Sequence, residues 1–144
     1  MKQTILIIDG MGGGIGVQLI GKIREVIKED AEIIALGTNA VATERMVKAG
    51  AHRGAAGENA IRVSAALGDF ILGPIGIVIA NSLMGEISGP MAEAILAAPG
   101  ERILLPLQHD HFYLAGMEPM PLAKMIERAV EFLKERMEAR TKNP

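Results

Sequence analysis

The sequence predicts an α/β protein with a three-layer, Rossmann-like fold around a mainly parallel sheet of five to six strands. Short apolar runs alternate with segments of helical periodicity along the chain, which is typical of right-handed βαβ units. The first run, residues 5–8, is apolar at every position, as expected for a strand that is buried on both faces. A glycine-rich segment follows directly, where nucleotide-binding folds turn from their first strand into a helix.

Composition restricts the class of protein. We expect residues 1–144 to form a single domain, with residues 139–144 as a frayed tail. The net charge of −2 lacks the basic excess of a nucleic-acid surface, and the absence of cysteine fits a reducing cytoplasm. The longest apolar stretch, residues 70–84, is interrupted by glycine and proline and is shorter than the roughly 20 residues of a membrane helix. We therefore expect a soluble, cytoplasmic protein that binds neither nucleic acid nor membrane.

The first half of the chain alternates strands and helices. After the first strand, apolar residues at helical spacing predict a helix over residues 15–27, and an apolar run predicts a strand over residues 32–36. A helix over residues 40–49 follows, which Thr38 or Asn39 can cap. We then expect a short strand at residues 53–55 and a helix over residues 58–67.

The second half repeats the alternation. We expect a strand at residues 69–72, a helix that Ser88 caps and that ends near residue 98, and a strand at residues 102–105. Residues 112–115 can add a shorter sixth strand. The final helix has one apolar stripe, made of Leu122, Met125, Ile126, Ala129, Val130, Leu133 and Met137.

The glycine loop, residues 10–16, contains five glycines among seven residues. Each ordered glycine costs roughly 0.5–1 kcal/mol relative to alanine, and a plain strand–helix turn needs only one or two. We therefore expect its backbone amides to approach an anion, helped by the dipole of the following helix. The alternative is tight packing of helix on strand without a ligand. With the residue before it, the binding segment is Asp9, Gly10, Met11, Gly12, Gly13, Gly14, Ile15 and Gly16.

The spacing of Gly10, Gly14 and Gly16 resembles the G-x-x-x-G-x-G loop of short-chain dehydrogenases, whereas Ile15 breaks the G-x-G-x-x-G pattern. The only tyrosine, Tyr113, is not followed four residues later by the lysine of the dehydrogenase mechanism. The second predicted strand also ends without an acidic residue for a ribose. NAD or NADP stays open as a cofactor, without preference over other phosphorylated ligands.

Every predicted strand ends in small or polar residues, and the ends of parallel strands meet at one edge of the sheet. We therefore expect these residues to line the same ligand site as the glycine loop. The alternative is that strand ends need turn residues in any protein. The additional binding candidates are Gly37, Thr38, Asn39, Glu58, Asn59, Gly73, Pro74, Ile75 and Gly76.

Three carboxylates are candidates for acid–base chemistry: Glu86, Glu58 and Asp9. Apolar neighbours of Glu86 would raise its pKa by desolvation, although a solvated loop carboxylate is the alternative. Because no paired nucleophile and base is evident, we favour a binding protein. An enzyme that uses the same cleft is the second hypothesis, and a structural oligomer with a vestigial site is the third.

His109 and His111 would share one face of an extended chain, but a metal site needs at least a third ligand. None is evident at short range in the sequence, so we predict a polar loop and no metal here. The Ser88 helix is apolar nearly all round apart from Glu93, which indicates deeper burial than one layer of a small domain allows. We therefore predict a homo-oligomer that uses this helix or residues 75–84.

Four stretches resemble one family. They are residues 8–16 (IDGMGGGIG), 33–40 (IIALGTNA), 57–61 (GENAI) and 73–80 (GPIGIVIA), the last followed by GEI at 85–87. Together they resemble the small bacterial family called domain of unknown function 3842, over nearly the whole chain. The resemblance implies that the four motifs belong to one small, stand-alone, Rossmann-like protein, and it supplies no reaction.

Overall fold

A computed structural model describes residues 2–107 and 112–143, in which five strands alternate with five helices. The strands are β1 (Gln3–Asp9), β2 (Ala31–Gly37), β3 (Arg53–Ala56), β4 (Phe70–Pro74) and β5 (Glu101–Leu105). The helices are α1 (Gly14–Ile27), α2 (Ala40–Lys48), α3 (Glu58–Ser64), α4 (Gly89–Ala97) and α5 (Leu122–Lys142). No helix among the described residues is both long and apolar enough to cross a membrane.

The five strands form one parallel sheet in the order β3-β2-β1-β4-β5. The chain moves outward from the central strand β1 to β2 and β3, and then returns to the other side of β1 to form β4 and β5. The strand order therefore reverses between β1 and β4, and open α/β sheets bind ligands at the carboxyl ends of the strands at this switch point. The predicted Rossmann-like class is confirmed.

Helices cover both faces of the sheet. Side chains of α1, α2 and α5 pack on the face that carries Ile5 and Ile7, and those of α3 and α4 pack on the face that carries Leu6 and Ile8. Successive residues of a strand point to opposite faces, so a strand covered on both sides must be apolar at each position. All four of these side chains are fully buried.

Helix caps also follow the sequence. Asn39 begins α2, and its Oδ1 accepts a hydrogen bond from Ala42 N at 2.8 Å. Ser88 begins α4 and accepts from Met91 N at 3.3 Å. The helix predicted over residues 58–67 ends as a short 3₁₀ helix, Ala65–Leu67.

The end of the chain differs from the sequence pattern in two places. Residues 139–142 are helical, since α5 continues to Lys142. Arg140 holds this end: its Nη2 donates to Asp69 Oδ1 at 2.9 Å, and its guanidinium lies 5.2 Å from the centre of the Phe70 ring. In residues 112–115, Phe112 forms a single bridge and no strand follows, so the described sheet has five strands.

Gly73 and Gly21 make a matched pair for stability. A Cβ at Gly73 would lie 2.3 Å from the carbonyl oxygen of Ile8 on the neighbouring strand, whereas one at Gly21, within α1, meets no atom within 4 Å. We expect Gly73→Ala to lower the free energy of unfolding by about 1–3 kcal/mol. Gly21→Ala should raise it by about 0.4–1 kcal/mol. Urea unfolding measures both, and equal stabilities of the two variants would contradict the close approach at Gly73.

Candidate functional site

Asp9, the last residue of β1, is buried and holds the two ends of the glycine loop. Its Oδ1 accepts from Gly10 N at 2.8 Å and its Oδ2 accepts from Gly16 N at 2.7 Å. Its own carbonyl oxygen accepts from Thr38 N at 3.0 Å, which joins the loop to the end of β2. The first anion at the N-terminus of α1 is therefore the protein's own carboxylate.

Burial is the main influence on the charge of Asp9. Desolvation raises the pKa of Asp9 above its ordinary value, and the nearby charge of Glu86 raises it further. Hydrogen bonds from the amides of Gly16, Gly10 and Ile15 oppose the shift without cancelling it. The carboxyl group of Asp9 thus gains a proton at a higher pH than an exposed aspartate does.

Several of the loop glycines have a reason within the fold. A Cβ at Gly10 would lie 2.6 Å from Thr38 Oγ1, and one at Gly16 would lie 2.3 Å from Met46 Sδ. Gly13 has a φ of 75°, a conformation that side chains disfavour. Packing therefore explains more of the glycine excess than the sequence alone suggested.

Gly14 is the exception, since a Cβ there would meet no atom within 4 Å and its φ is not positive. Among the described residues, neither its amide nor that of Gly12 donates a hydrogen bond. Arg45 Nη1 donates to the carbonyl oxygen of Gly12, which places an exposed guanidinium on the rim of the loop. Two open amides and one cation therefore lie together at the N-terminus of α1.

Glu86 reaches the loop from the segment between β4 and α4. Its Oε1 accepts from Met11 N at 2.5 Å and from Thr38 Oγ1 at 3.0 Å, while its Oε2 accepts from Asn39 Nδ2 at 2.9 Å. Asn39 Nδ2 also donates to the carbonyl oxygen of Met11 at 2.9 Å. These contacts hold Met11 at a φ of 54°, which is uncommon for a residue other than glycine.

These hydrogen bonds decide the charge of Glu86. Partial desolvation pushes its pKa upward, but the hydrogen bonds from Met11, Asn39 and Thr38 outweigh it, and the pKa of Glu86 lies below the ordinary value. The expectation of a raised pKa at this residue is therefore wrong. The carboxylate stays ionised near neutral pH, when it acts as a hydrogen-bond acceptor and as a weak base.

Most of the other binding candidates at the strand ends contribute to packing rather than to the glycine loop itself. Gly37 serves packing, since a Cβ there would lie 2.2 Å from Thr43 Oγ1. Next to Gly73, the buried Gly76 accepts a hydrogen bond at its carbonyl oxygen from Ser82 Oγ, while Pro74 is buried and Ile75 is half-buried. These residues shape the floor of the switch point and the segment that carries Glu86.

Glu58 and Asn59 lie further from the loop. Ser88 Oγ donates to Glu58 Oε1, which joins the start of α3 to the start of α4. Asn59 lines an open groove of about 520 Å³ between these two helices, together with Arg62 and Glu93. No hydrogen bond in the described structure connects Glu58 or Asn59 to the glycine loop.

Arg45 lies at the glycine loop, where its guanidinium donates to the Gly12 carbonyl oxygen, and no sequence motif marks it as a site residue. Arg45 lies on α2, six residues after the Asn39 cap, a spacing that does not place the two residues on one face of the helix. Ser82 is buried and donates to the carbonyl oxygen of Gly76, within the segment between β4 and α4 that also carries Glu86. His109 and His111 lie outside the described residues, and within those residues no group of three potential ligands could hold a metal ion.

A parallel five-stranded sheet with helices on both faces and a glycine loop at its switch point defines a Rossmann-like α/β protein. The family model for Domain of unknown function (DUF3842) matches residues 4–138 of the 144-residue chain, and the chain belongs to this family. Comparison with curated proteins and with solved structures found no significant match.

The raised pKa of Asp9 has a consequence for stability. The folded protein retains the proton on Asp9 at a pH where the unfolded chain has released it. The stabilisation of the folded state by this proton is therefore full below the ordinary aspartate pKa of 3.8, and it is lost as pH rises through the pKa of the folded state. Asp9→Asn cannot titrate at this position. The free energy of unfolding of the wild type minus that of Asp9→Asn should therefore fall from acidic pH toward neutrality, as measured by urea unfolding. A difference that is constant or rises with pH would contradict this.

Proposed function

We propose that the protein binds a nucleotide or another phosphorylated small molecule at the glycine loop. Gly14 carries the proposal, because its amide is open and nothing in the described fold requires a glycine there. With the open amide of Gly12 it lies at the N-terminus of α1, where backbone donors and the helix dipole favour negative charge. The switch point between β1 and β4 is the usual ligand position in such sheets.

The charges around the loop limit which contacts a phosphate can make. Asp9 already occupies the amides of Gly10 and Gly16, so a phosphate is left with those of Gly12 and Gly14. The guanidinium of Arg45 supplies the positive charge beside them, and its planar donors suit phosphate oxygens.

A small enzyme that uses the same cleft is the second candidate. A buried carboxyl with a raised pKa at a ligand-binding edge, here Asp9, is a feature of catalytic acids. Backbone amides occupy both of its oxygens, and the lowered pKa of Glu86 makes that residue a poor base. Glu58 contacts Ser88 instead of the loop, so binding is the function we favour.

Native mass spectrometry of freshly purified protein, followed by thermal shift, tests the proposal. The panel contains inorganic phosphate, NAD, NADP, flavin nucleotides, ATP, GTP and sugar phosphates. At least one class should raise the melting temperature in a concentration-dependent way, because a ligand that binds the folded state stabilises it. Indifference to every phosphorylated compound would overturn both the binding and the enzyme hypotheses and would leave the structural oligomer.

Gly14→Val and Gly21→Val compare two open positions of α1. Valine at Gly14 would fill the space in front of the open amides, so we expect about 10-fold or greater loss of affinity, equivalent to roughly 1.4 kcal/mol. Gly21→Val should bind as the wild type does, since it adds the same side chain away from the loop. Calorimetric titration with whichever compound gives the thermal shift measures both, and unchanged binding by Gly14→Val would move the site elsewhere.

We also propose that a second copy of the chain covers α3 and α4. The exposed side of α4 carries Leu96, which is 53% exposed, and the neighbouring α3 carries Val63, which is 66% exposed. Arg62 and Glu93 line the groove between α3 and α4. Neither side chain forms an ion pair with any described residue. A two-fold interface brings the same patch together twice, so Arg62 of one copy can pair with Glu93 of the other.

Leu96→Lys tests this association, with Val41→Lys as its control at a 61% exposed position on α2. A charge within an apolar interface is costly, so Leu96→Lys should be monomeric at micromolar concentration in light scattering, while the wild type and Val41→Lys should be dimeric. Arg62→Glu should weaken the dimer, and the double exchange Arg62→Glu with Glu93→Arg should restore it. A wild type that is monomeric under these conditions would defeat the proposal.

A further inference from the structure

A carboxylate lies at the carboxyl end of β2, although that strand itself ends in none. The chain leaves β2 through Gly37, Thr38 and Asn39, and the carboxylate that binds Thr38 and Asn39 belongs to Glu86, far along the chain. In dinucleotide-binding folds, an acidic residue in this position accepts hydrogen bonds from ribose hydroxyls. The second strand lacks the acidic residue that would bind the ribose of NAD. In the folded protein, Glu86 brings a carboxylate to that position from another segment.

Glu86 still has capacity to accept a hydrogen bond. An ionised carboxylate offers about four lone-pair positions on two oxygens. Oε1 receives two donors, from Met11 and Thr38, while Oε2 receives one, from Asn39. The side chain is only half-buried, and Oε2 is the oxygen with unfilled capacity.

The segment that carries Glu86 is closed on itself. Asn81 N donates to Ile87 O at 2.7 Å, and Ile87 N donates to Ser82 O at 3.2 Å. Between these contacts, Leu83 and Met84 have φ values of 55° and 56°, a left-handed backbone that residues other than glycine rarely adopt. Strained residues of this kind cluster at functional sites.

The lack of a side chain at Gly10 leaves room for the Glu86 carboxylate. A Cβ at Gly10 would lie 2.9 Å from Glu86 Oε1 and 2.6 Å from Thr38 Oγ1, so any larger residue would displace the acid from the end of β2. Met11, which donates to Glu86, directly precedes the open amide of Gly12. The acceptor therefore contacts the residue that directly precedes a proposed phosphate donor, as the ribose and phosphate are adjacent in a nucleotide.

We propose that Glu86 accepts a hydrogen bond from the vicinal hydroxyls of a ribose, so that the ligand is a ribonucleotide with a free 2′-hydroxyl. This inference rests on the proposed function, because its phosphate lies on the amides of Gly12 and Gly14. A 2′-deoxy sugar lacks the 2′-hydroxyl, which is one of the two donors in the vicinal pair. A 2′-phosphate would place like charge against the carboxylate, so nucleotides with that group bind more weakly.

The first experiment measures affinities of the wild type. The probes are ADP, GDP, CDP and UDP, the 2′-deoxy counterpart of each, NAD with NADP, and inorganic pyrophosphate. A hydrogen bond to a charged acceptor corresponds to about 10-fold or more in affinity, so at least one ribonucleotide should bind that much more tightly than its 2′-deoxy form. If dinucleotides bind, NAD should bind more tightly than NADP.

The second experiment removes the charge. Glu86→Gln should bring the ratio of ribose to 2′-deoxyribose affinity close to one, and pyrophosphate titrated into the same variant measures any separate loss of phosphate binding. Glu32→Gln is the matched control, since Glu32 lies at the opposite end of β2 and should leave the ratio unchanged. The two ligands are compared on one folded sample, so a loss of stability cannot mimic the result, and circular dichroism verifies folding.

The outcomes distinguish the ribose inference from the phosphate binding on which it rests. Equal wild-type affinity for ribose and 2′-deoxyribose forms, a preference for NADP, or an unchanged ratio in Glu86→Gln would overturn the ribose inference and leave phosphate binding intact. Failure of pyrophosphate and of every nucleotide to bind would overturn both. If Glu86→Gln does not fold, the wild-type ratio alone decides.

Discussion

The carboxylate of Asp9 ties the end of the central strand to the start of the first helix, and the carboxyl edge of the sheet is organised around that contact. Both of its oxygens accept backbone amides, at 2.8 and 2.7 Å, so the chain must turn tightly between Gly10 and Gly16. A buried carboxylate is costly unless its hydrogen bonds are made. Because the loop amides make these hydrogen bonds, the conformation of the glycine loop is set without a ligand. The amides of Gly12 and Gly14 are left as the open donors.

A second carboxylate completes this edge from a distant part of the chain. Glu86 holds Met11, Thr38 and Asn39 together, and so connects the glycine loop with the end of β2. The two carboxylates have opposite pKa shifts: desolvation dominates at Asp9, and hydrogen bonding dominates at Glu86. Asp9 therefore holds its proton to a higher pH than an exposed aspartate does, while Glu86 stays ionised as a hydrogen-bond acceptor.

The fold was largely predictable because its signals are local. Apolar residues at every position of residues 5–8 require a strand covered on both faces, and the stripe from Leu122 to Met137 requires a helix with one buried side. The structure differs from the expectations where contacts between residues distant in sequence determine the conformation. Arg140 extends the last helix because it meets Asp69 and the Phe70 ring, and no pattern near residue 140 reveals those partners. The sixth strand was expected from four apolar or aromatic residues, which are too few to determine pairing.

The sequence by itself determined the order of strands and helices, the place of the glycine loop, and the edge of the sheet on which that loop lies. Only the tertiary structure decided which glycines serve packing and which is open, since that depends on atoms such as Thr38 Oγ1 and Met46 Sδ. It alone brought Glu86 to the end of β2 and Arg45 to the loop. Periodicity and turn residues act over a few neighbours along the chain, whereas a binding site depends on side chains that become neighbours only when the sheet is assembled.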